Sequence, residues 1–429
     1  MRYCRRCLYP ANHPLGLTFD AEGICSGCRV NEEKDRLDWG ARERVLAKLF
    51  DDYRDRSGRR YDCIVPVSGA RDSFFVVDQV RRRYGMTPLL VSYNRHYNTR
   101  MGIRNLAMLR TSLDGDYIQQ VVQPQLARRV MRQTMHTMGS FHWHTLAGQT
   151  AFPVQVAVRM KIPLIVWGAH QGCDQVGMYS HLDEVEMTRK YRCEHDLMGY
   201  EAEDLVGREE GLTETELRPF FYPNSREIER VGVRGIYLSN YIRWDTKAQH
   251  EAMLERHGYE TAAQQRTFDT YSDIDCIHYS GAHDQIKYAK WGYGKATDHA
   301  CREIRLRRMT RAEGLELAHR YAAVRPHDLP RLLEFMDMSA AEFEATVDRF
   351  RDPQVWTHDA GAWTRLGEAA NPNFGDGAAL GKIEECHFIE TGAKAAEPER
   401  DGYTLLHRGW VDRPRGSGAV PNSIERGMS

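Results

Sequence analysis

The stretch from Ser68 to Ser73 lies between a predicted strand and a predicted helix. The mostly apolar segment 61–67 precedes it, and a helical pattern follows over 73–84 and ends at Gly85. A turn from a strand into the first turn of a helix directs backbone N–H groups and the positive end of the helix dipole at one point. Residues 68–73 therefore predict an anion site, for which phosphate oxygens are the natural ligand.

The same alternation of strands and helices continues over residues 59–170. It predicts a doubly wound parallel sheet, an α/β fold in which ligands bind beyond the carboxyl ends of the strands. The predicted strands are 61–67, 88–93, 117–122 and 162–167, and the predicted helices are 73–84, 98–113, 124–137 and 146–160.

Two further loops follow strands of this sheet at the same edge as residues 68–73. Ser92 and Tyr93 end the second strand, and Trp167 and Gly168 end the fourth. These four residues are candidates for contacting the base or the ribose of a nucleotide. The two aromatic side chains fit equally well as core or rim residues, so both interpretations stay open.

The composition is that of an ordinary globular protein and limits its partners. The chain has 429 residues, with 59 Lys and Arg against 60 Asp and Glu. Because no overall field attracts nucleic acid or a membrane surface, we expect neither as a partner. No apolar run approaches the ~20 residues of a membrane-spanning helix. Ten cysteines without a disulfide framework favour a cytoplasmic location.

Four cysteines near the N-terminus form two C-x2-C pairs that are separated by 17 residues. Two such turns can place four thiolates around one Zn²⁺ ion. Because protein ligands fill all four positions, the predicted metal is structural rather than catalytic. The alternative is that these thiols are free core cysteines. The predicted ligands are Cys4, Cys7, Cys25 and Cys28.

The chain divides into five predicted parts. They are a zinc ribbon at 1–30, a linker helix at 31–58, the α/β domain at 59–185, a substrate-side insertion with a helical domain at 186–351, and a C-terminal extension at 352–429. Within the extension, residues 412–429 lack a regular pattern and predict a flexible tail.

Charged and imidazole side chains outside the loop are candidates for binding or activating a second substrate. A solvated helix face with i,i+4 ion pairs explains the same charges equally well. The pair His142 and His144 is interpreted as satisfied or substrate-facing, since two histidines make only half of a metal site. The candidates for catalysis are Glu184, Glu186, His283 and Asp298, and those for substrate binding are His142, His144, Lys287, Lys290 and Lys295.

Residues 68–73 read Ser-Gly-Ala-Arg-Asp-Ser. They resemble the pyrophosphate-binding loop S-G-G-x-D-S of the N-type ATP pyrophosphatases, also called the PP-loop superfamily, which split ATP into AMP and pyrophosphate. The resemblance implies that Asp72 lies near Mg²⁺ and that Asp72 and Ser73 are catalytic. The chain departs from the pattern at Ala70, where an alanine with positive φ would cost about 1 kcal/mol or more. The residues that would hold the phosphates are Ser68, Gly69, Ala70, Arg71, Asp72 and Ser73.

A second resemblance covers residues 1–320 and rests on several stretches, which are Cys4–Cys28, Val67–Ser73, Ala151–Pro153, Pro163–Gly168, Trp244-Asp245, Gly281–Asp284 and Gly294–Asp298. Together they resemble the N-acetyl sugar amidotransferases of surface-polysaccharide, O-antigen and flagellar-glycan biosynthesis. The resemblance implies that ATP adenylates the oxygen of an acetamido group on a nucleotide-linked sugar, and that ammonia then displaces AMP to give an acetamidino group. It also implies a separate glutaminase subunit that supplies the ammonia.

Two alternatives stay open. The tRNA thiolases, which insert sulfur, share the ribbon and the loop, but they carry a C-x-x-C at the start of the helix after the third strand. This chain has His142 and Thr145 at the corresponding positions. The second alternative is a non-catalytic relative that acts as an assembly subunit, because Ala70 would weaken the phosphate site.

Overall fold

The computed structural model describes residues 1–55, 61–96, 98–366 and 378–391. Its centre is a five-stranded parallel sheet, which confirms the predicted parallel α/β architecture. The strands are β1 (Cys63–Pro66), β2 (Pro88–Tyr93), β3 (Asp116–Gln120), β4 (Leu164–Trp167) and β5 (Arg234–Tyr237). Their order in the sheet is β3-β2-β1-β4-β5, so the order reverses between β1 and β4.

Strand β5 lies in a segment for which the sequence predicted no strand. It has only four residues, begins with the charged Arg234 and includes Gly235. A short apolar run, the usual signal of a buried strand, is therefore absent. The other four strands lie where they were predicted.

Helices cover both faces of the sheet and continue beyond it. They are α1 (Ser26–Glu33), α2 (Trp39–Tyr53), α3 (Arg71–Asp78), α4 (Arg100–Ser112), α5 (Pro124–Met138), α6 (Trp143–Met160), α7 (Gln171–Asp174), α8 (Arg189–Tyr191), α9 (Glu214–Leu217), α10 (Ser225–Val231), α11 (Thr246–His257), α12 (Ile277–Trp291), α13 (Lys295–Arg305), α14 (Arg311–Ala322), α15 (Leu329–Met336) and α16 (Ala340–Asp348). The four helices predicted within the α/β domain correspond to α3, α4, α5 and α6. None of the helices among the described residues combines the length and the apolar character needed to cross a bilayer.

The linker at 31–58 was predicted as a single helix. Two helices cover this region, and α1 begins at Ser26, inside the second cysteine pair. The two helices are separate because Asp38 caps the N-terminus of α2. Its carboxylate accepts a hydrogen bond from the backbone N–H of Ala41 at 2.9 Å. Residues 56–60, at the end of the predicted linker, and the predicted tail at 412–429 lie outside the described residues.

Successive residues of the central strands point to opposite faces of the sheet. Val65 and Leu90 pack against α2, α3, α4 and α11 on one face. Ile64, Leu89 and Val91 pack against α6 on the other. Because both faces are covered, the crevice for a ligand is expected at the carboxyl edge, where the strand order reverses beside β1.

The C-terminal helices form a second core beside the sheet. Phe141 and Met135 pack there with Ile286 of α12, Leu333 of α15 and Phe343 of α16. Helices α15 and α16 follow one another along the chain in this core. A two-stranded antiparallel hairpin, β6 (Trp356–Asp359) and β7 (Ala362–Arg365), follows them.

The N-terminal segment 1–33 packs on this helical part rather than standing apart from it. Leu8 and Tyr9 share a buried cluster with Ala300 and Ile304 of α13. The side-chain amide of Asn12 donates to the carboxylate of Asp352 at 2.8 Å. The cysteine-bearing segment therefore has a fixed position against the C-terminal half of the chain.

Candidate functional site

The loop at 68–73 follows β1 and leads into α3. Gly69 has a φ of +79°, a conformation that favours glycine. A Cβ atom built there would lie 2.8 Å from the Cβ atom of Leu106 and 2.9 Å from the carbonyl oxygen of Gly102. Both the backbone conformation and the available space therefore require glycine, and the loop lies directly against α4.

Ala70 has an extended backbone, with φ −92° and ψ 178°. The strain expected from an alanine with positive φ is therefore absent, and that expectation is wrong. The reason is that the left-handed position of the loop falls on Gly69, one residue earlier. Alanine adopts the conformation of residue 70 without cost.

Three hydrogen bonds close the loop on itself. The N–H of Ser68 donates to the Oγ of Ser73 at 3.0 Å, and the N–H of Ala70 donates to the Oγ of Ser68 at 3.3 Å. The N–H of Ser73 donates to the carbonyl oxygen of Ala70 at 3.1 Å. Because each hydroxyl accepts in these bonds, its own proton is left to donate to a ligand. The side chain of Arg71 lies outside the described part of the structure.

Asp72 lies in the first turn of α3 and contacts a buried histidine. Its Oδ1 atom is 3.3 Å from the Nε2 atom of His250 in α11. His250 is fully buried, whereas 32% of the Asp72 side chain is exposed. The histidine thus positions a carboxylate that solvent and ligands can still reach. Sequence reasoning missed His250 because it is 178 residues from Asp72 and no motif surrounds it.

A cavity of about 80 Å³ lies beside this loop at the carboxyl edge of the sheet. Ser68, Ser92 and Tyr93 line it from the strand ends, and Ile103 and Leu106 of α4 form its apolar side. Polar strand ends opposite an apolar helix face suit a planar base. Typical ligand sites begin at about 300 Å³, so this cavity alone is smaller than a typical ligand site.

An ion pair that sequence reasoning missed lies in the wall of the cavity. The Nη1 atom of Arg95 is 2.9 Å from the Oδ2 atom of Asp275, and both side chains are largely buried. Arg95 lies two residues after Tyr93, in the loop that follows β2. Its position after a strand end was therefore a sequence signal that could have identified it. Asp275 lies just before α12 and gave no sequence signal, because a single acidic residue in a polar segment is common.

Three candidate histidines lie near one another, and one of them contacts Tyr93. The hydroxyl of Tyr93 is 3.1 Å from the Nδ1 atom of His144, and the rings of His142 and His283 are 4.8 Å apart. Burial lowers the pKa of His144 to about 3 and the pKa of His283 to about 4. Burial also lowers the pKa of His142. All three are therefore neutral at pH 7, and each can donate and accept a hydrogen bond.

Lys295 adds a buried positive charge close to His283. Its Nζ atom donates to the Oδ2 atom of Asp273 at 3.0 Å and to the Oγ atom of Ser280 at 2.9 Å. Burial acts to lower the pKa of Lys295, but Asp273 and Asp284 outweigh it and raise that pKa. Lys287 and Lys295 both lie close enough to His283 for their charges to lower its pKa.

Lys287, Lys290 and Asp298 are occupied in packing contacts. Lys287 forms an ion pair with Asp298, and the hydroxyl of Tyr9 donates to the same carboxylate at 3.0 Å. Lys290 donates to the carbonyl oxygen of Met138 at the end of α5, at 2.8 Å, and burial lowers its pKa to about 8. These three side chains join helices to one another and to the N-terminal segment, and no substrate role follows from their positions.

Glu184 and Glu186 lie away from the loop. The Nε atom of Arg234 donates to the Oε1 atom of Glu186 at 2.8 Å. Arg234 opens β5 and is in register with Leu164, the first residue of β4, whereas the loop at 68–73 follows the last residue of β1. Glu184 is exposed, at 3.9 Å from Arg42. The structure therefore places Glu186 at the amino end of β5, and neither carboxylate lines the cavity beside the loop.

The two candidates after β4, Trp167 and Gly168, lie against different parts of the core. The ring of Trp167 packs in the layer of α6, and its indole N–H has no hydrogen-bond partner among the described atoms. A Cβ atom at Gly168 would lie 3.3 Å from the ring of Trp244 and 3.5 Å from Val76 of α3. Contact of either residue with a nucleotide stays a prediction.

The predicted cysteine ligands form one buried cluster in which all four sulfur atoms lie within 4.8 Å of one another. The Sγ atoms of Cys4 and Cys28 are 3.9 Å apart, and those of Cys7 and Cys25 are 3.6 Å apart. A tetrahedron with Zn–S bonds of ~2.3 Å has edges of ~3.8 Å. The cluster therefore fits Zn²⁺, which would hold the two cysteine turns together and leave no open coordination position.

The C-terminal helices match a known family. Residues 265–369 match the family model described as "LPS biosynthesis protein WbpG-like, C-terminal domain". This match supports a role in the biosynthesis of lipopolysaccharide or related sugars. The matched segment contains Asp275, His283 and Lys295, and it does not include the loop at 68–73. No curated protein gives a significant match to the chain.

Proposed function

We propose that this protein is an ATP-dependent N-acetyl sugar amidotransferase that acts on a nucleotide-linked sugar. The observation that carries the proposal is the loop at 68–73, with Gly69 left-handed and two serine hydroxyls ordered at the carboxyl end of β1. Such a loop at the point where strand order reverses is suited to phosphate. The family match at 265–369 supports sugar biosynthesis as the setting.

The proposed reaction converts an acetamido group into an acetamidino group. The amide oxygen attacks the α-phosphorus of ATP, and the bond to the β-phosphate breaks to release pyrophosphate. Ammonia then attacks the amide carbon, and AMP leaves with the former carbonyl oxygen. Amides are poor electrophiles, so converting the oxygen into a good leaving group is the essential step. Positioning and charge stabilisation are then sufficient, without a covalent protein nucleophile.

The loop would bind the triphosphate. The hydroxyl protons of Ser68 and Ser73 and the N-terminus of α3 would contact the phosphate oxygens. Asp72 is the residue that would hold Mg²⁺, because one carboxylate together with substrate phosphates is a common magnesium environment. Bound magnesium would offset the charge of the departing pyrophosphate. His250 would keep the Asp72 carboxylate turned toward that ion.

The histidine group would bind the acetamido sugar. His144 lies beside Tyr93, which lines the cavity next to the loop, and His142 interacts with both His144 and His283. Neutral imidazoles can accept a hydrogen bond from the amide N–H or from the incoming ammonia, and His283 is the candidate for removing a proton after attack. The acids Glu184, Glu186 and Asp298 have no part in this scheme, because each is committed elsewhere or distant.

A sulfur-inserting enzyme is the alternative reaction. It would require cysteine chemistry at the start of α6, where the chain has His142 and Thr145. The two reactions differ in the atom that replaces oxygen. Mass spectrometry therefore separates them: replacement by NH lowers the product mass by about 1 unit, whereas replacement by sulfur adds about 16.

The test incubates the full chain with ATP, Mg²⁺, ammonium chloride and a panel of UDP-linked acetamido sugars. We expect AMP and pyrophosphate in equal amounts, together with one sugar whose mass falls by about 1 unit. Ammonium chloride replaces the glutaminase subunit that the proposal requires. The Asp72→Asn variant is the matched control and should form neither product. If sulfide supports turnover and ammonium does not, the result favours the sulfur-inserting alternative. If AMP forms in the absence of both nucleophiles, the result contradicts both reactions.

A further inference from the structure

The guanidinium group of Arg305 lies against the cysteine cluster. Its Nη2 atom is 3.6 Å from the Sγ atom of Cys25 and 3.9 Å from the Sγ atom of Cys7. Arg305 ends α13, 280 residues from Cys25 in the chain. A side chain from the C-terminal helices therefore contacts two of the four predicted metal ligands.

Two features hold Arg305 in this position. Its Nη1 atom donates to the carbonyl oxygen of Gln175 at 2.6 Å, and its guanidinium group lies 5.2 Å from the centre of the Tyr9 ring. The side chain is almost entirely buried, with 5% exposed. An arginine held by a carbonyl group, an aromatic face and two sulfur atoms has little freedom to turn away.

Gly27 provides the space through which Arg305 reaches the sulfur atoms. A Cβ atom at Gly27 would lie 2.3 Å from the Nη2 atom of Arg305 and 2.7 Å from the carbonyl oxygen of Gln175. No side chain fits at such distances. The close approach of Arg305 therefore explains why the residue at position 27, between the two cysteines of the second pair, is a glycine.

The charge of the metal site gives this contact an energetic role. Four thiolates and one Zn²⁺ ion carry a net charge of about −2, and burying a net charge is costly unless it is compensated. Backbone N–H groups of Arg6, Cys7 and Cys25 point at the Sγ atom of Cys4, at 3.3 to 3.4 Å. On the other side of the cluster, Arg305 faces Cys7 and Cys25. The positive charge of Arg305 offsets part of the net negative charge of the metal site.

We propose that Arg305 is a positioning residue of the four-cysteine metal site, so that the site holds Zn²⁺ tightly only when α13 is docked on it. The site is then built jointly by the two cysteine pairs and the C-terminal helices. A second buried arginine also links the C-terminal helices to the first cysteine pair, because the Nε atom of Arg311 donates to the carbonyl oxygen of Cys7 at 3.2 Å. The proposal does not depend on the reaction that the protein catalyses.

The test measures how fast the zinc-loaded full chain transfers its metal to a coloured chelator in excess. Arg305→Met should accelerate the transfer by about 10-fold to 100-fold, the range expected for loss of an outer-sphere partner. Arg307→Met is the matched control, since Arg307 is exposed two residues farther on and hydrogen-bonds to Gly381. It should leave the transfer rate unchanged.

Two further variants keep the test decisive if Arg305→Met folds poorly. Arg305→Lys keeps the positive charge but loses the planar guanidinium group. Gly27→Ala keeps the arginine in the sequence, but the added Cβ atom forces its guanidinium group away from the sulfur atoms. Both should accelerate zinc transfer, and in cobalt-loaded protein both should change the sulfur-to-cobalt charge-transfer band. A lowered melting temperature with unchanged transfer rate and an unchanged cobalt spectrum would show that Arg305 only packs, and it would overturn the proposal.

Discussion

The carboxylate of Asp72 and the imidazole of His250 lie 3.3 Å apart and join α3 to α11 at the mouth of the loop that follows β1. About two turns farther from the loop, the same two helices are joined by a second pair, Asp78 and His257, which is buried and also 3.3 Å apart. The two pairs have the same chemistry and the same helices. Only the first lies beside the proposed phosphate site.

This arrangement provides a matched comparison. We expect His250→Gln to reduce ATP-dependent pyrophosphate release by about 10-fold or more, because the carboxylate of Asp72 loses its fixed orientation. His257→Gln should change the melting temperature with little effect on pyrophosphate release per folded molecule. Equal loss of activity in both variants would mean that the helix contact, and not the loop, limits the reaction. Pyrophosphate release and thermal unfolding are measured on the same preparations.

Substitution of Gly69 should reduce both stability and activity, whereas substitution of Ala70 should reduce stability only slightly. Gly69→Ala places a Cβ atom 2.8 Å from Leu106 in a left-handed conformation, and we expect a loss of stability of about 1 kcal/mol or more together with a loss of pyrophosphate release. Ala70→Gly relieves no strain and only adds freedom to the unfolded chain, so it should lower stability by about 0.4 to 1 kcal/mol. A large gain in activity for Ala70→Gly would show that its methyl group obstructs the phosphate.

Asp298 should behave as a structural residue. Asp298→Asn leaves the partly buried Lys287 without its partner, and we expect a loss of about 3 kcal/mol of unfolding free energy. The Michaelis constants for ATP and for the sugar should stay unchanged in the folded fraction. Glu316→Gln is the control, because Glu316 forms an exposed ion pair with Arg320 and should cost at most about 0.5 kcal/mol. A raised sugar Michaelis constant in Asp298→Asn would instead return this residue to the substrate site.

The buried histidines predict acid sensitivity. Burial lowers the pKa of His283 to about 4 and that of His144 to about 3, whereas both titrate near pH 6.5 in the unfolded chain. The unfolded state therefore binds more protons below about pH 6.5, and stability falls as the pH is lowered toward 4, by about 1.4 kcal/mol per pH unit for each histidine. His283→Asn should make this slope shallower in urea unfolding. His327→Asn, which replaces a largely exposed imidazole, is the matched control.

The metal site predicts one zinc per chain by elemental analysis. Cys28→Ser should abolish stoichiometric zinc and lower the melting temperature, because the remaining thiolates no longer complete a tetrahedron. Cys193→Ser is the control, since Cys193 lies outside the cluster and is partly exposed. Full zinc retention by Cys28→Ser would contradict the assignment of this residue as a ligand.

Local sequence patterns predicted the parts of this fold that depend on local physics. The run before Ser68 and the helical pattern after Ser73 form β1 and α3, and the four cysteines meet as their spacing indicates. Both depend on interactions within a few residues or on a well-defined ligand geometry. The short strand β5 escaped prediction because the sheet, rather than its own sequence, holds Gly235 extended.

The cavity of the candidate site was predictable because strand ends define it. Tyr93 lies at the cavity because it ends β2, whereas His250 and Asp275 reach the site through tertiary packing of distant helices. The same packing gives Asp298 a partner that its local sequence does not reveal, because Tyr9 lies 289 residues away. A charge in the sequence does not reveal whether a substrate or another part of the chain will neutralise it.

The contact between Arg305 and Cys25 also has a consequence for biosynthesis. The ribosome adds about 5 to 20 residues per second, so the 280 residues between them take on the order of 15 to 60 s to translate. During this interval the nascent chain carries its cysteine pairs without the arginine that completes their surroundings. Oxidants and competing metals have their best access to the thiols at this stage, before translation has reached α13.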